Sequence, residues 1–232
     1  LAIIERRVER IGISLKGAKP PERQGLLREQ EILMRLKAEL EHDIPIRALK
    51  LAPEEVKTIA SYQFLTAKPL LIVVNIGEEQ LSQGASLEAE LSSHYSRPRC
   101  RVITLCGKVE MELTQLDEDA AEGFRADFGI SESGLDRAIQ LSYELLGLIS
   151  FFTIASDEVK AWSLKTGTEA VKAAGKIHSD MERGFIRAEV IGYDDLMRCE
   201  NLPEARRKGL LRLEGKSYTV QDGDVITFLF NV

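Results

Sequence analysis

The sequence predicts an α/β fold in which a helical hairpin comes first, strands and helices then alternate, and a small sheet closed around one helix ends the chain. Three observations predict it. Apolar residues recur at heptad spacing over the first 40 positions; a non-alternating apolar run at Lys68–Asn75 leads through a helical stretch to a second strand at Arg101–Leu105; β-forming segments from Ile149 onward enclose one amphipathic helix. With 232 residues, 44% hydrophobic and 29% charged, the chain is expected to make two or three soluble, compact units.

Ile4, Val8, Ile11 and Leu15 mark one helix. After the break at Gly17–Pro21 the pattern resumes at Leu26, Leu33, Leu36 and Leu40, so two helices are expected to fold back on each other. Arg6, Arg7 and Arg10 on the first arm, with Lys16, Lys19 and Arg23 around the turn, make the tip basic, as an exposed, solvated face also would. Pro53 followed by Glu54 and Glu55 reads as a helix start, because free N–H groups and the helix dipole favour proline and acids there.

Leu70–Asn75 is apolar without alternation, the pattern of a strand covered on both faces of a parallel sheet. A helix through Leu87–Leu91, the strand Arg101–Leu105 and a helix after Gly107 complete an α/β wiring. Ser133 can cap a further helix with Leu135, Ile139, Tyr143 and Leu146 on one face. Strands are then expected at Ile149–Ile154 and Val159–Leu164, one helix from Thr168 carrying Val171, Ala174, Ile177 and Met181, and strands at Ile186–Val190 and Val225–Phe230, the last introduced by the Gln221–Asp224 turn. A small sheet gripping one helix is a β-grasp arrangement.

Composition excludes several classes. The longest apolar runs fall short of the roughly 18 residues of a membrane span, so no membrane partner is expected. Three cysteines without Cys-x-x-Cys spacing give neither a disulfide framework nor a zinc site, and a reducing, cytoplasmic setting is expected. A net charge of −6 argues against a sequence-specific DNA binder. The acidity sits in the middle: residues 61–150 hold 7 Lys/Arg against 14 Asp/Glu, whereas residues 1–60 hold 12 against 10. Leu1 opens the chain without methionine, and the chain is expected to begin mid-protein.

Two strings invite a phosphate or base site. Gly209-Leu-Leu-Arg-Leu-Glu-Gly215-Lys-Ser looks like a P-loop, but it has five residues between its glycines where the loop needs four, and Ser217–Val220 reads as a continuing strand rather than a helix. It is a decoy. Asn75-Ile76-Gly77-Glu78 stands at the C-terminal end of a strand, where open α/β sheets bind ligands, and Thr104–Lys108 ends the next strand beside it. Cys106 has no histidine placed to activate it, and no catalytic residue or metal ligand is assigned. His178 is expected to be a partly buried, hydrogen-bonded helix residue and Trp162 a core residue; Arg206, Arg207 and Lys208, with Arg212 and Lys216, form a dense basic cluster that an exposed face explains as well as phosphate contact does.

These residues together resemble the YchF/Obg-like ATPases, P-loop NTPases of the translation-factor-related class. The blocks that carry the resemblance are Phe64–Pro69 into Asn75–Glu78, Gly134–Arg137, Tyr143–Leu146, Phe152-Thr153 with Glu158–Trp162, Ala173–Asp180 into Gly184–Ala188, and Asp222–Val225 with Phe228–Val232. The resemblance implies three parts: a coiled-coil hairpin (1–60), the C-terminal half of a P-loop G domain (61–148) and a TGS domain of β-grasp type (149–232). It implies that Asn75 and Glu78 frame a purine with the Ile76 backbone at the adenine edge, that Leu105, Cys106 and Gly107 form the last base-contacting loop, and that the cofactor is ATP or GTP with Mg²⁺. The ribosome or structured RNA is the implied partner, with Lys16, Lys19, Arg23, Arg206, Arg207 and Lys208 as candidate contacts. The family's phosphate loop, switch regions and Mg²⁺ ligands are not among these residues, so the N-terminal half of the G domain is expected to be missing and the chain alone inactive. The alternative is a non-enzymatic RNA- or ribosome-binding adaptor working through the hairpin tip and the TGS surface.

Overall fold

The heptad residues close on one another as their spacing predicts. In the computed structural model, which describes residues 1–130, 132–155, 158–199 and 201–231, helix α1 (Ala2–Ser14) packs along α2 (Pro20–Glu41). Ile4, Ile11, Leu33 and Leu36 are at most 1% exposed, and Val8, Leu15, Leu26 and Leu40 lie partly buried beside them. Arg7 donates two 2.8 Å hydrogen bonds to the Glu29 carboxylate, and the Tyr62 hydroxyl donates to the same carboxylate, so a residue well past the hairpin is tied into it. Ile46, Ile59, Phe64 and Ala67 complete this core. Helix α3 (Pro53–Ile59) begins where the acids predict, with the Glu55 carboxylate accepting the Ala52 N–H at 2.8 Å.

Strand β1 (Leu70–Asn75) runs parallel to β2 (Cys100–Leu105) in register Leu70 to Cys100 through Asn75 to Leu105. Between them lies α4 (Gly84–His94); α5 (Gly107–Leu113) and α6 (Glu118–Asp127) follow. The expectation of a strand buried on both faces fails for β1, where Leu70 is 37% and Val73 49% exposed, while in the neighbouring β2 Val102, Ile103 and Thr104 are buried. Among the described residues β1 pairs with β2 alone, leaving its other edge free.

Contacts divide the chain into two units, Leu1–Leu135 and Asp136–Val232, where the sequence reading divides it into three. Helix α7 (Gly134–Leu146) crosses that division, and the Ser133 hydroxyl accepts the Leu135 N–H at 3.1 Å, as a cap should. Its expected apolar face is largely uncovered, with Leu135 64%, Ile139 48% and Leu146 44% exposed. Periodicity finds such a face but not what lies against it.

The second unit is a mixed sheet in the order β4-β3-β7-β5-β6. Strands β3 (Leu148–Ala155) and β4 (Glu158–Lys165) form an antiparallel hairpin, β7 (Asp224–Phe230) lies parallel to β3 and antiparallel to β5 (Phe185–Gly192), and β6 (Arg212–Glu214) pairs with β5. Ala170, Ala173 and Ala174 of α8 (Ala170–Ile177) are fully buried against Phe151, Phe185, Val190, Ile226 and Phe228. Small residues on the helix let it approach the aromatic face of the sheet closely. Trp162 packs on this core, as expected, and donates Nε1–H to Thr153 Oγ1 at 3.0 Å.

Three expectations are corrected here. The helix from Thr168 is two helices, α8 and α9 (Ser179–Arg183), because His178 is extended (φ −157°, ψ 141°) and its ring Nδ1 accepts the Asp180 N–H at 3.2 Å, capping the second helix. That side chain is 62% exposed rather than partly buried. Ser217–Val220 is not a strand; only Thr219 bridges, to Glu169, while β6 is confined to Arg212–Glu214. The segment between β5 and β6 holds two helices, α10 (Tyr193–Cys199) and α11 (Leu202–Arg207), which the sequence reading leaves out. Val232, the last residue of the quoted ending, lies outside the described residues.

Candidate functional site

Parallel pairing puts the ends of β1 and β2 side by side, so loops 30 residues apart in sequence meet. The Gly107 N–H donates to Asn75 Oδ1 at 2.9 Å, and the Ile76 N–H donates to the Leu105 carbonyl at 2.9 Å. An N–H can only donate, so the oxygen of the Asn75 amide must face Gly107. Its two Nδ2 hydrogens then point elsewhere, and they meet no acceptor within the chain among the described residues. A side chain at Gly107 would press its Cβ to 3.2 Å from Asn75 Oδ1, which suits glycine at this approach.

The six residues expected at the base thus come together, though not in equal roles. Asn75 is exposed at the strand end, whereas the side chains of Ile76 and Cys106 are 6% and 4% exposed and belong to the core with Val109 and Leu113. With its N–H spent on Leu105, Ile76 can offer a ligand only its carbonyl. Leu105 and Cys106 contribute backbone: the Leu105 carbonyl takes Ile76, and the Cys106 carbonyl takes the Glu110 N–H at 3.0 Å. Glu78 opens a short 3₁₀ turn (Glu78–Gln83) fastened by the Gly77 N–H donating to Gln80 Oε1 at 3.1 Å.

Lys108 meets Glu78. Its ammonium lies 2.5 Å from Glu78 Oε1 and 4.0 Å from Glu112 Oε1 one turn along α5. The hydrogen bond to Glu78 holds the Lys108 pKa above the ordinary lysine value, with the charges of Glu78 and Glu112 adding to it. No spacing rule relates positions 78 and 108, so this pair is not legible in the sequence.

Two carboxylates brace the site from behind. Glu88 on α4 accepts the Thr104 N–H at 2.8 Å and the Thr104 hydroxyl at 3.2 Å, and Glu110 on α5 accepts the Gly134 N–H at 2.8 Å. Both are positioning residues that sequence reasoning missed, since each acts on a backbone group more than 15 positions away.

The two candidate basic groups differ in kind. Lys16 and Lys19 at the hairpin turn are exposed and have no carboxylate partner among the described residues, while Arg23 donates to the Leu15 carbonyl at 3.1 Å. Arg206 is paired with Glu189 at 2.8 Å, Arg207 with Glu204 through two bonds at 2.9 and 2.8 Å, and Lys208 lies 3.5 Å from Glu204. The cluster dense in cations by sequence is therefore largely neutralised in the fold. No group of three or more His, Cys, Asp or Glu among the described residues could hold a metal ion.

The family YchF-GTPase_C, described as a protein of unknown function (DUF933), matches residues 148–231. The "Ribosome-binding ATPase YchF" of Bacillus subtilis is 41% identical over 99% of this chain and 62% of its own length, and that of Mycoplasma genitalium is 44% identical over 82% of the chain and 52% of its own length. The solved structure of the Schizosaccharomyces pombe YchF GTPase superposes with a TM-score of 0.83 at 31% identity, covering 97% of this chain and 61% of that one. The chain thus spans about half to three fifths of the length of the relatives it matches.

Proposed function

We propose that this chain is a portion of a YchF-family, ribosome-associated NTPase and that it reads the purine of ATP or GTP there. The observation that carries the reading is the bond from Gly107 N–H to Asn75 Oδ1. It commits the Asn75 amide so that Nδ2 is presented at the C-terminal end of a parallel strand pair, the usual ligand edge of an α/β sheet. Nδ2–H would donate to purine N7, an acceptor that adenine and guanine share, and the Ile76 carbonyl would accept from the adenine amino group. Glu78 supplies an acceptor on the other side of the base.

The residues fit a nucleobase and do not fit the phosphate end. No Gly-x-x-x-x-Gly-Lys-Ser/Thr occurs in the 232 residues. Phosphoryl transfer depends on positioning and neutralising the phosphates, and we assign none of that to this chain, which is not expected to hydrolyse nucleotide alone. The free edge of β1 and the exposed Val73 support a further strand pairing there, as a complete G domain would require. On this reading α1 and α2 are the coiled-coil hairpin, the sheet around α8 is the TGS domain, and the whole works in the cytoplasm.

Titrating the ¹⁵N-labelled chain with ATP and with GTP tests the base site. Shifts centred on Gly107 and the Asn75 side-chain amide, abolished in Asn75→Ala, are expected; shifts that survive that substitution would reject the contacts.

The adaptor reading rests on a separate observation, the two unpartnered lysines at the hairpin turn. Co-sedimentation with ribosomes is expected to weaken steeply with salt and to weaken further in Lys16→Ala/Lys19→Ala. Salt-independent pelleting unaffected by these changes would remove the hairpin tip from the contact.

A further inference from the structure

We propose that Lys108 biases this site against guanine, because its ammonium already occupies the carboxylate that a guanine ring needs. The inference rests on the base-reading role of Asn75 and Glu78 and adds the residue that sets preference between the two purines.

The edge chemistry of the bases separates them. Guanine carries two adjacent donors, N1–H and the 2-amino group, and a carboxylate is their natural acceptor. Adenine has an acceptor at N1 and nothing at C2, so it makes no such pair and asks only for groups beside N6 and N7. In this chain Glu78 is engaged by Lys108 at 2.5 Å before any base arrives. The neighbouring Glu79 is no substitute, because its carboxylate folds back over Gly77, where a Cβ would collide with it. Guanine, which needs both Glu78 oxygens, must therefore compete with Lys108 at Oε1, while adenine leaves that pair intact. Specificity of this kind is a difference between two affinities, produced by an internal competitor rather than by a better contact.

The displaced ammonium has somewhere to go. Glu112 lies 4.0 Å from Lys108 Nζ on the same face of α5, so the lysine can swing one turn along the helix without losing all compensation. Lys108 is thus a movable counter-ion with two acceptors, and guanine is disfavoured without being excluded. The Lys108 side chain is 63% exposed and Glu78 40%, so the competition is screened and its effect modest and salt-dependent. A pair of this exposure corresponds to about two- to fivefold in relative affinity.

Free adenosine and guanosine test this on the ¹⁵N-labelled chain, because they isolate the base from the phosphates. Dissociation constants are read from the Gly107 and Asn75 side-chain amide shifts. In Lys108→Ala the guanosine affinity is expected to rise about two- to fivefold relative to adenosine, with adenosine affinity unchanged; Lys108→Arg should retain the original ratio. Molar salt should shrink the difference between the two proteins, and in a Glu78→Ala background the effect of Lys108→Ala should vanish. If both nucleosides bind and the ratio is the same in Lys108→Ala as in the unaltered chain, the inference is overturned while the base site stands. If neither nucleoside moves the Gly107 or Asn75 amides, the base site falls and the inference with it.

Discussion

Asn75 Oδ1 accepts the Gly107 N–H at 2.9 Å although the two residues stand 32 positions apart on different elements. One amide therefore both stitches the ends of β1 and α5 together and aims its remaining donors outward. Asn75→Ala should cost no more than about 1 kcal/mol of stability, since the exposed Gly107 N–H can turn to water, yet it should abolish nucleoside binding. Thermal denaturation and the amide titration separate the two effects. A large loss of stability with binding retained would make Asn75 a purely structural residue.

Glu29 anchors the hairpin by accepting from both Arg7 and Tyr62. The Arg7 hydrogen bond is the main cause that holds its pKa below the ordinary 4.5, against the opposing effect of burial. A carboxylate with a lowered folded pKa adds stability that is full above the ordinary value and is lost as pH falls through the folded one. The unaltered chain should therefore lose stability below about pH 4.5 more steeply than Glu29→Gln, as read from urea denaturation at descending pH. Because the Arg7 side chain is 37% exposed, the coupling of Arg7→Ala with Tyr62→Phe should be about 1 kcal/mol or less in a double-mutant cycle.

Tyr218 gives the opposite pH response. Burial, then its 2.8 Å hydrogen bond to the buried Asp224, pushes its hydroxyl up to about 12. A folded pKa above the unfolded value of roughly 10 favours the native state while the hydroxyl is protonated. The stabilisation is complete below about pH 10 and disappears as pH rises towards 12. Tyr218→Phe should lower stability at neutral pH by about 1–2 kcal/mol and flatten this alkaline loss, which denaturant titrations at pH 8 and above would show.

Two glycines should behave in opposite ways. A Cβ at Gly184 would overlap the backbone carbonyl of Asn231, which cannot move aside without disturbing the bond from Asn231 N–H to the Gly184 carbonyl at 2.9 Å. Gly184→Ala should cost about 1–3 kcal/mol. Gly12, inside α1, has nothing within 4 Å of such a Cβ. Gly12→Ala should stabilise by roughly 0.5–1 kcal/mol, because it removes backbone freedom from the unfolded chain. Calorimetric melting of both variants checks the pair, and equal effects would contradict the packing described for them.

Local pattern alone determined much of this protein. Heptad spacing specified the hairpin and the residues that bury, the apolar runs located β1 and β2, and the Asn75–Glu78 and Thr104–Lys108 strings marked the strand ends that converge. These features are legible because periodicity and turn chemistry act over a few residues. The tertiary structure alone decided which polar groups meet. It paired Lys108 with Glu78 across 30 positions, neutralised Arg206 and Arg207 with Glu189 and Glu204, and broke the helix at His178 by giving the ring an N–H to accept. It also left Val73 and Ile139 exposed, although their apolar patterns announce burial. Charge pairing and burial depend on distances through space between residues remote in the chain, and a one-dimensional pattern does not contain those distances.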